Sequence, residues 1–376
     1  MTSLDDPRDP AWSAAERALF TRFRDAARAL VNPRVAAHEA SRSFDRASFA
    51  ALGAMGLYEL GARGLSPLFA ALEGLSTGCD DAGFAISVIA HAGVAVPVIH
   101  AFAPPSLRDR VLPHAISGEH LVAVANAEPS GGTDVLGVRA RVRPVGGRLT
   151  LSGRKRSITN VGRADVILVS ARDASSTDAS RPLAAWAVDA SAKGCHQRPR
   201  VDRMGLWTSP TGDLIARNVT LPDDARLCDG VDFFRRCFAL ERLAVGALYV
   251  GALRRALRRM TAWVDARPPL AEHQYVQQRV VRVRSSLAVV EAMLFATRRM
   301  FLSGERCEAE LSTLKCEGAE RALDAAEDAV RLLGARGYER RAGAEKDARD
   351  LMGLTMLGGT AELHQGVIFR AAKRGA

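Results

Sequence analysis

The chain has 376 residues, of which 48% are hydrophobic and 25% are charged. These proportions are typical of a globular protein with two or three structural domains, and they argue against a fibrous or disordered chain. The formal net charge of +10 comes mostly from arginine. The arginines recur at helical spacing with few aromatic residues between them. They therefore predict solvated helix faces or a surface for an acidic partner, and not a nucleic-acid-binding surface.

The cysteine pattern and the N-terminus indicate the redox environment and the cellular compartment of the protein. The six cysteines are dispersed and form no Cys-x-x-Cys pair. This excludes a zinc ribbon or a disulfide framework and is typical of reduced, packed thiols. The N-terminus is polar and carries no signal-peptide pattern. We therefore expect a cytoplasmic protein that does not enter a membrane.

The first part of the chain has the pattern of α-helices. Trp12–Leu30 carries apolar residues at three-to-four spacing, and Ser13 is a candidate N-cap. The pattern repeats over Phe44–Leu60 and Pro67–Leu75. Residues 82–103 form a nearly uncharged, alanine-rich run. A run of this composition predicts a buried helix and not a membrane span.

The pattern changes near Gly118 and again near Val231. Between them, short segments rich in Val, Ile and Thr alternate with turn residues, which predicts strands; these are Val135–Val142, Leu149–Leu151, Val166–Ala171, Leu183–Val188 and Asn218–Leu221. Helical periodicity then predicts five helices: Val231–Ala266, Ala271–Leu302, Glu308–Leu333, Glu345–Met352 and Ala361–Ala372. We predict three domains, helical over 1–118, β over 119–226 and helical over 227–376.

A series of short motifs follows this organisation in order. They are Ala125–Asp134 (Ala-Asn-Ala-Glu-Pro-Ser-Gly-Gly-Thr-Asp), Lys155–Asn160, Arg203–Leu214, Leu270–Gln277, Leu333–Tyr338, Arg349-Asp350 and Gly358–Leu363. Together they resemble the motifs of the acyl-CoA dehydrogenase family, over nearly the whole chain. The resemblance implies an α+β multidomain fold with an N-terminal α-helical domain, a middle β-barrel and a C-terminal four-helix bundle.

The resemblance also implies a chemistry and its partners. Family members remove a proton and a hydride from adjacent carbons of an acyl thioester and pass the hydride to FAD. We therefore expect FAD, an acyl thioester carried by coenzyme A or by an acyl carrier protein, and a homo-oligomer, either tetramer or dimer. The electron acceptor would be an electron-transfer flavoprotein or oxygen. The basic surface favours the acidic carrier protein over coenzyme A.

The predicted catalytic base is Glu241. Many family members place the base just before a Gly-Thr pair near the C-terminus, where this chain has Gly358. Other branches place it in a Glu-Arg pair on the first C-terminal helix, where this chain has Glu241 and Arg242. The helical neighbours of Glu241 are all apolar: Cys237, Phe238, Ala244 and Val245. Burial on that face predicts a raised pKa, which suits a general base. Arg242 is the predicted substrate-binding residue.

The predicted flavin contacts follow from the resemblance, residue by residue. They are Asn126, Ala127, Gly132, Thr133, Ser157, Thr159, Thr360 and Glu362, with Gln274 and Gly334 reaching the adenine-side half from a neighbouring subunit. Two of them depart from the family pattern. Ala127 replaces the usual Thr, so that only its backbone N–H can serve, and Ser157 replaces the usual aromatic residue.

Two other functions remain as alternatives to the dehydrogenase. A flavin monooxygenase on the same fold would use the roomier flavin face left by Ala127 and Ser157 and would need no base. A non-catalytic relative would bind no FAD. His114 and His120 are spaced too widely for one helical face and are expected to have no nearby third ligand, so no metal site is expected.

Overall fold

Eight helices form the N-terminal region. The structure, a computed structural model, describes residues 4–131, 137–174 and 183–375. The helices are α1 (Ala14–Ala26), α2 (Val35–Ser41), α3 (Arg46–Ala54), α4 (Leu60–Arg63), α5 (Leu65–Gly78), α6 (Ala82–Val88), α7 (Val96–Phe102) and α8 (Pro105–Ser117). The single helix predicted over Phe44–Leu60 is corrected to α3 and α4, because the chain turns at Gly56 with φ of +83°.

Helix α1 begins and packs as the sequence predicts. Ser13 caps it with a reciprocal box: the Glu16 N–H donates to the Ser13 hydroxyl, and the Ser13 N–H donates to the Glu16 carboxylate at 2.8 Å. Its buried face lies directly on α5. A methyl group at Gly74 would lie 2.1 Å from the Phe20 carbonyl oxygen, so only glycine permits this approach.

The nearly uncharged run is a core helix. Residues Ala82–Phe102 comprise α6, a π-helical turn over Ile89–Ala95, and α7. The run is long and apolar enough to cross a membrane, but 94% of its most apolar window is buried inside the protein. The prediction of a buried helix is confirmed.

Eight strands form the part of the middle region that the structure describes. They are β1 (Val122–Ala125), β2 (Arg141–Val145), β3 (Arg148–Ile158), β4 (Val166–Asp173), β5 (Leu183–Asp189), β6 (Cys195–Pro199), β7 (Gly212–Thr220) and β8 (Arg226–Asp229). Their order is β6-β7-β3-β2-β4-β5-β8, with β1 parallel to β4. The sequence missed β1, β6 and β8, which are only four or five residues long. Part of the strand predicted over Val135–Val142 lies outside the described residues.

The C-terminal region is helical, with bounds close to those predicted. The helices are α9 (Asp232–Asp265), α10 (Gln274–Leu302), α11 (Glu308–Leu333), α12 (Ala335–Tyr338), α13 (Ala344–Met356) and α14 (Ala361–Gly375). A 3-10 turn at Pro268–Glu272 separates α9 from α10. Helix α11 ends at Gly334, which has φ of +62°.

A buried ionic network joins the N-terminal and C-terminal helices. Arg254 on α9 is fully buried and donates to Glu291 on α10 at 2.7 Å and to Thr77 on α5 at 3.0 Å. Glu73 on α5 pairs with Arg298 on α10 at 3.1 Å. The pairing partly offsets the free-energy cost of desolvating these charges. Removal of one partner would therefore destabilise the fold, because the other charge would stay buried and unpaired.

Candidate active site

The two segments predicted to face the flavin lie side by side. The Arg156 N–H donates to the Ala127 carbonyl oxygen at 2.9 Å. Lys155 Nζ donates to the Asn126 carbonyl oxygen at 3.0 Å and to the Glu128 carboxylate at 2.9 Å. Residues 126–128, which follow β1, are therefore attached to the end of β3, although 27 or more positions separate them in the chain.

A buried ion pair between Lys155 and Glu128 joins these two segments. The Lys155 side chain is 1% exposed and that of Glu128 is 6% exposed. Burial lowers the pKa of Lys155 to about 8, although the Glu128 carboxylate acts in the opposite direction. Glu128 also accepts hydrogen bonds from the N–H groups of Arg139 and Ala140, at 2.8 and 3.0 Å. The pair was missed at the sequence level, because Glu128 and Lys155 lie in separate motifs with no spacing pattern that links them.

The described flavin-contact residues that the sequence predicts on these two segments differ in their exposure. Asn126 Oδ1 is buried and has no hydrogen-bond partner among the described residues, so it is available to a bound group. Ser157 is exposed, and its backbone has φ of +57° and donates to Asp213 at 2.9 Å. Thr159 is half-buried. Gly132 and Thr133 lie outside the described residues.

Glu241 lies on α9 in an apolar setting. Cys237, Ala244 and Val245 are each no more than 3% exposed, as the helical spacing predicts. Burial raises the pKa of the Glu241 carboxyl group above its ordinary value, while the charges of Arg242 and Lys315 act in the opposite direction. Its carboxylate makes no hydrogen bond or ion pair with the described residues.

The Glu241 carboxylate points to Gly358. A methyl group placed at Gly358 would lie 3.4 Å from the carboxyl carbon of Glu241 and 3.4 Å from its Oε1. Gly358 precedes α14 and has φ of +69°, a conformation that favours glycine. The two positions considered for the base, Glu241 and Gly358, therefore lie next to each other in this protein, and Glu241 is the one that carries a carboxylate.

Three basic side chains surround this carboxylate. Arg242 is largely buried, and its Nε has no partner among the described residues. Lys315 on α11 donates to the Thr355 carbonyl oxygen at 2.5 Å, and burial lowers its pKa to about 8. His364 Nε2 lies 3.0 Å from the Gly358 carbonyl oxygen, and burial lowers the pKa of its ring to about 4. Lys315 and His364 were missed at the sequence level, because neither belongs to a spacing pattern with Glu241.

A groove of about 630 Å³ approaches this site. Its walls come from the ends of α7 and α10 and the starts of α9 and α11, and they include Phe102, Phe234, Phe238, Arg235, Arg236, Arg242, Phe301 and Arg306. Arg242 is at once the neighbour of Glu241 in the chain and a wall of the groove. The groove combines an aromatic lining with arginine side chains, so it suits a ligand with an apolar part and an anionic part.

The remaining predicted contacts fall into two groups. Thr360 and Glu362 are exposed at the start of α14, two and four residues after Gly358, and the Thr360 hydroxyl hydrogen-bonds Glu362. Gln274 begins α10, and Gly334 follows α11; both are exposed. Thr360 and Glu362 therefore follow closely in the chain after Gly358, which contacts Glu241. Gln274 and Gly334 lie on the solvent-exposed surface.

The prediction that His114 and His120 have no third ligand nearby is wrong. Glu119 lies with them, and the ligand-type atoms of the three residues are within 4.8 Å of one another. Sequence spacing missed this cluster because α8 ends between His114 and Glu119, and the chain folds back at Gly118.

Comparisons with known proteins identify the family. The family model for the acyl-CoA dehydrogenase N-terminal domain matches residues 13–119, that for the middle domain residues 123–219, and that for the C-terminal domain residues 228–373. The chain belongs to the acyl-CoA dehydrogenase family. It is therefore an oxidoreductase, and FAD is its cofactor.

Two curated relatives are similar along most of their length. The L-prolyl-(peptidyl-carrier protein) dehydrogenase of Pseudomonas fluorescens is 27% identical over 353 residues, which cover 89% of this chain and 92% of the relative. The mitochondrial isovaleryl-CoA dehydrogenase of Solanum tuberosum is 27% identical over 321 residues, covering 83% and 77% respectively.

Solved structures show the same fold. The glutaryl-CoA dehydrogenase of Mycobacterium smegmatis is 26% identical, with a TM-score of 0.89 over 96% of this chain and 95% of its own. The structure of PigA with FAD and proline is 21% identical, with a TM-score of 0.90 over 98% of this chain and 100% of its own. The helical, sheet and helical parts of the predicted fold are confirmed.

Proposed function

We propose that this protein catalyses the FAD-dependent α,β-dehydrogenation of an acyl thioester, with Glu241 as the catalytic base. The main support for the proposal is the contact between the Glu241 carboxylate and Gly358. A methyl group placed on Gly358 would lie 3.4 Å from the carboxyl carbon of Glu241. One carboxylate therefore stands where either branch of the family would place its base.

The environment of Glu241 suits proton abstraction. An apolar setting raises the carboxyl pKa, so the group is a stronger base than an exposed glutamate. Glu241 takes the α proton, and Arg242 and Lys315 supply positive charge nearby that limits the cost of the buried anion. FAD, when bound, would supply the hydride-accepting chemistry for the β carbon of the substrate.

The residues that hold FAD form two sets in this proposal. Asn126, Ala127, Ser157 and Thr159 line the flavin face, together with Gly132 and Thr133, and Thr360 and Glu362 contact FAD beside α14. Support comes from the unpartnered Asn126 Oδ1 and from the joined segments at Ala127 and Arg156.

A second copy of the chain completes the cofactor site. Gln274 and Gly334 are exposed and would reach the adenine-side half of FAD from a neighbouring subunit. The protein is accordingly a homo-oligomer, either tetramer or dimer, located in the cytoplasm. Closure of the sheet into a β-barrel and of the C-terminal helices into a four-helix bundle belongs to the same proposal.

The acyl group is carried by an acyl carrier protein in preference to coenzyme A. The groove beside Arg242 also presents Arg236, which makes no ion pair with the described residues and suits the phosphate of a phosphopantetheine arm. Arg235 and Arg306 pair with Asp232 and Glu308 of the same groove, at 3.3 and 3.0 Å, and would exchange these partners for the acidic surface of a carrier. Two relatives, from Pseudomonas fluorescens and Serratia, are named for a prolyl group on a peptidyl carrier protein. Electrons leave to an electron-transfer flavoprotein or to oxygen.

The test is anaerobic mixing of the holoenzyme with a panel of acyl-CoA and acyl-carrier-protein thioesters, followed by flavin absorbance. The wild type should bleach with at least one thioester. The variant Glu241→Gln should bleach at least about 10²-fold more slowly, because a positioned base contributes about 10²–10⁴-fold. The control Glu310→Gln removes an exposed carboxylate of α11 outside the groove and should bleach at the wild-type rate.

The same experiment separates the alternatives. A monooxygenase would keep its rate in Glu241→Gln, and a non-catalytic relative would not retain FAD. The relatives described above are dehydrogenases, and they favour neither alternative.

A further inference from the structure

His114, Glu119 and His120 form a compact donor cluster at the end of α8. His114 lies in the last turn of the helix, and its Nδ1 is 2.7 Å from Glu119 Oε2. The rings of His114 and His120 stack with centroids 4.7 Å apart. Two imidazoles and one carboxylate are the donor set that Zn²⁺ and related divalent ions take from three protein side chains.

The backbone holds the three residues together without a metal. Gly118 ends α8 in the left-handed conformation, with φ of +79°, and a methyl group there would lie 3.1 Å from Ala50 Cα. The chain therefore reverses at a position that only glycine fits, and the His120 N–H donates to the His114 carbonyl oxygen at 2.9 Å. The backbone turn at Gly118 therefore brings Glu119 and His120 close to His114. Their proximity does not depend on the rotamer of a single side chain.

One donor atom of the cluster lacks a partner. His120 Nδ1 is buried and has no hydrogen bond among the described residues. A buried polar atom without a partner costs free energy that a ligand would recover. The nearby Arg46 pairs with Asp165 at 2.7 Å, so its charge is balanced by a carboxylate outside the cluster.

We propose that His114, Glu119 and His120 bind a divalent transition-metal ion such as Zn²⁺. An ion about 2.0–2.2 Å from each donor would place the donors roughly 3.4 Å apart. The present separations are all within 4.8 Å, and the side chains of His114 and Glu119 are 47% and 65% exposed, so rotation of these two suffices. In the bound state, water fills the open coordination position.

The site would connect two parts of the fold. Leu121, directly after the cluster, donates its N–H to Asp165 at 2.7 Å, and β1 begins at Val122 and leads to Asn126. An ion held by His114 on α8 and by Glu119 and His120 before β1 would cross-link the helix to the strand that carries the flavin-facing segment. The role is structural, and the reaction at Glu241 does not require it.

The test is isothermal titration of the tag-free, chelator-dialysed holoprotein with Zn²⁺. The wild type should bind one ion per chain at this site. The variants His114→Ala and Glu119→Gln change exposed side chains and should each weaken binding at least about tenfold, because even a partner outside the coordination sphere is typically worth that much. His196→Ala removes an exposed histidine of β6 and is the matched control; it should bind as the wild type does.

A second measurement reports the donor set directly. With Cu²⁺ as the probe, electron paramagnetic resonance should show coupling to two imidazole nitrogens in the wild type and to one in His114→Ala. Equal Zn²⁺ affinity in the wild type, His114→Ala and Glu119→Gln would overturn the proposal. So would a loss of affinity in His196→Ala as large as that in the cluster variants.

Discussion

At the residue scale, the side chain of Glu241 and the backbone of Gly358, the two positions considered for the base, lie in contact. Gly358 has no side chain to compete for the space that the Glu241 carboxylate occupies. A carboxylate at both positions would place two like charges within contact distance, and one of them would have to stay protonated. The glycine therefore leaves Glu241 as the carboxylate at this point.

This arrangement predicts that the base can be relocated. Glu241→Gly should abolish flavin bleaching by the thioester, and adding Gly358→Glu should restore part of it, because the new carboxylate starts from the point where the old one ended. Recovery should be incomplete, since a non-glycine residue at φ of +69° costs roughly 1 kcal/mol or more. Stopped-flow bleaching measures it. No recovery in a double variant that retains FAD would contradict the prediction.

The raised pKa of Glu241 also predicts a dependence of stability on pH. The folded protein binds the proton of this carboxyl group more tightly than the unfolded chain does. Its contribution to stability is therefore complete below the unfolded pKa of about 4.3 and is lost as pH rises through the folded pKa. Glu241→Gln should unfold at a temperature roughly 1–3 °C higher than the wild type at pH 7.5, and the gain should shrink near pH 5.

Differential scanning fluorimetry of both proteins across pH 5–8 measures this difference. Glu305→Gln, which changes an exposed carboxylate, should show no such trend. A gain for Glu241→Gln that stayed constant over this range would mean that the carboxyl group does not titrate as its burial predicts.

At the scale of elements, the Lys155–Glu128 pair attaches the segment after β1 to β3. Lys155→Met should destabilise the protein by about 3–5 kcal/mol, because Glu128 would remain buried without its cation. It should also weaken FAD retention, because Asn126 loses the Lys155 donor on its carbonyl oxygen. Urea unfolding and FAD release on dilution provide the two measurements.

The matched control for this pair is Lys193→Met, which removes an exposed lysine in the turn before β6. It should leave both stability and FAD retention within the error of the wild type. A Lys155→Met protein with normal FAD retention would show that the segment holds its conformation through the backbone bond from Arg156 to Ala127 alone.

At the scale of the whole molecule, the buried charges of α9 join the two helical regions. Arg254→Met removes the cation between Glu291 and Thr77 and should cost about 3–5 kcal/mol, because Glu291 is left buried without its closest partner. Arg235→Met lies on the same helix, in a pair whose side chains are 77% and 75% exposed, and should cost less than about 1 kcal/mol.

Chemical denaturation of the two arginine variants measures this contrast. Similar losses in Arg235→Met and Arg254→Met would contradict the assignment of the network as the joint between the helical regions. The comparison is well matched, because both substitutions leave the same side chain on the same helix.

Much of the fold could be predicted because local patterns coincide with element bounds. Helix α11 has the predicted bounds, Glu308–Leu333, since an amphipathic repeat ends there at a glycine. Helix α9 ends before two prolines that cannot continue it. Strands β1, β6 and β8 escaped prediction, because four or five residues are too few to show alternation.

The amino-acid sequence by itself determined the family, the order of helical and β regions and the identity of Glu241 as the candidate base. These depend on motifs and periodicities that are local in the chain. Only the tertiary structure decided that Glu241 ends at Gly358, that Lys155 pairs with Glu128 and that Glu119 joins His114 and His120. Each depends on where the backbone turns, which brings together side chains whose spacing in the chain carries no periodic signal.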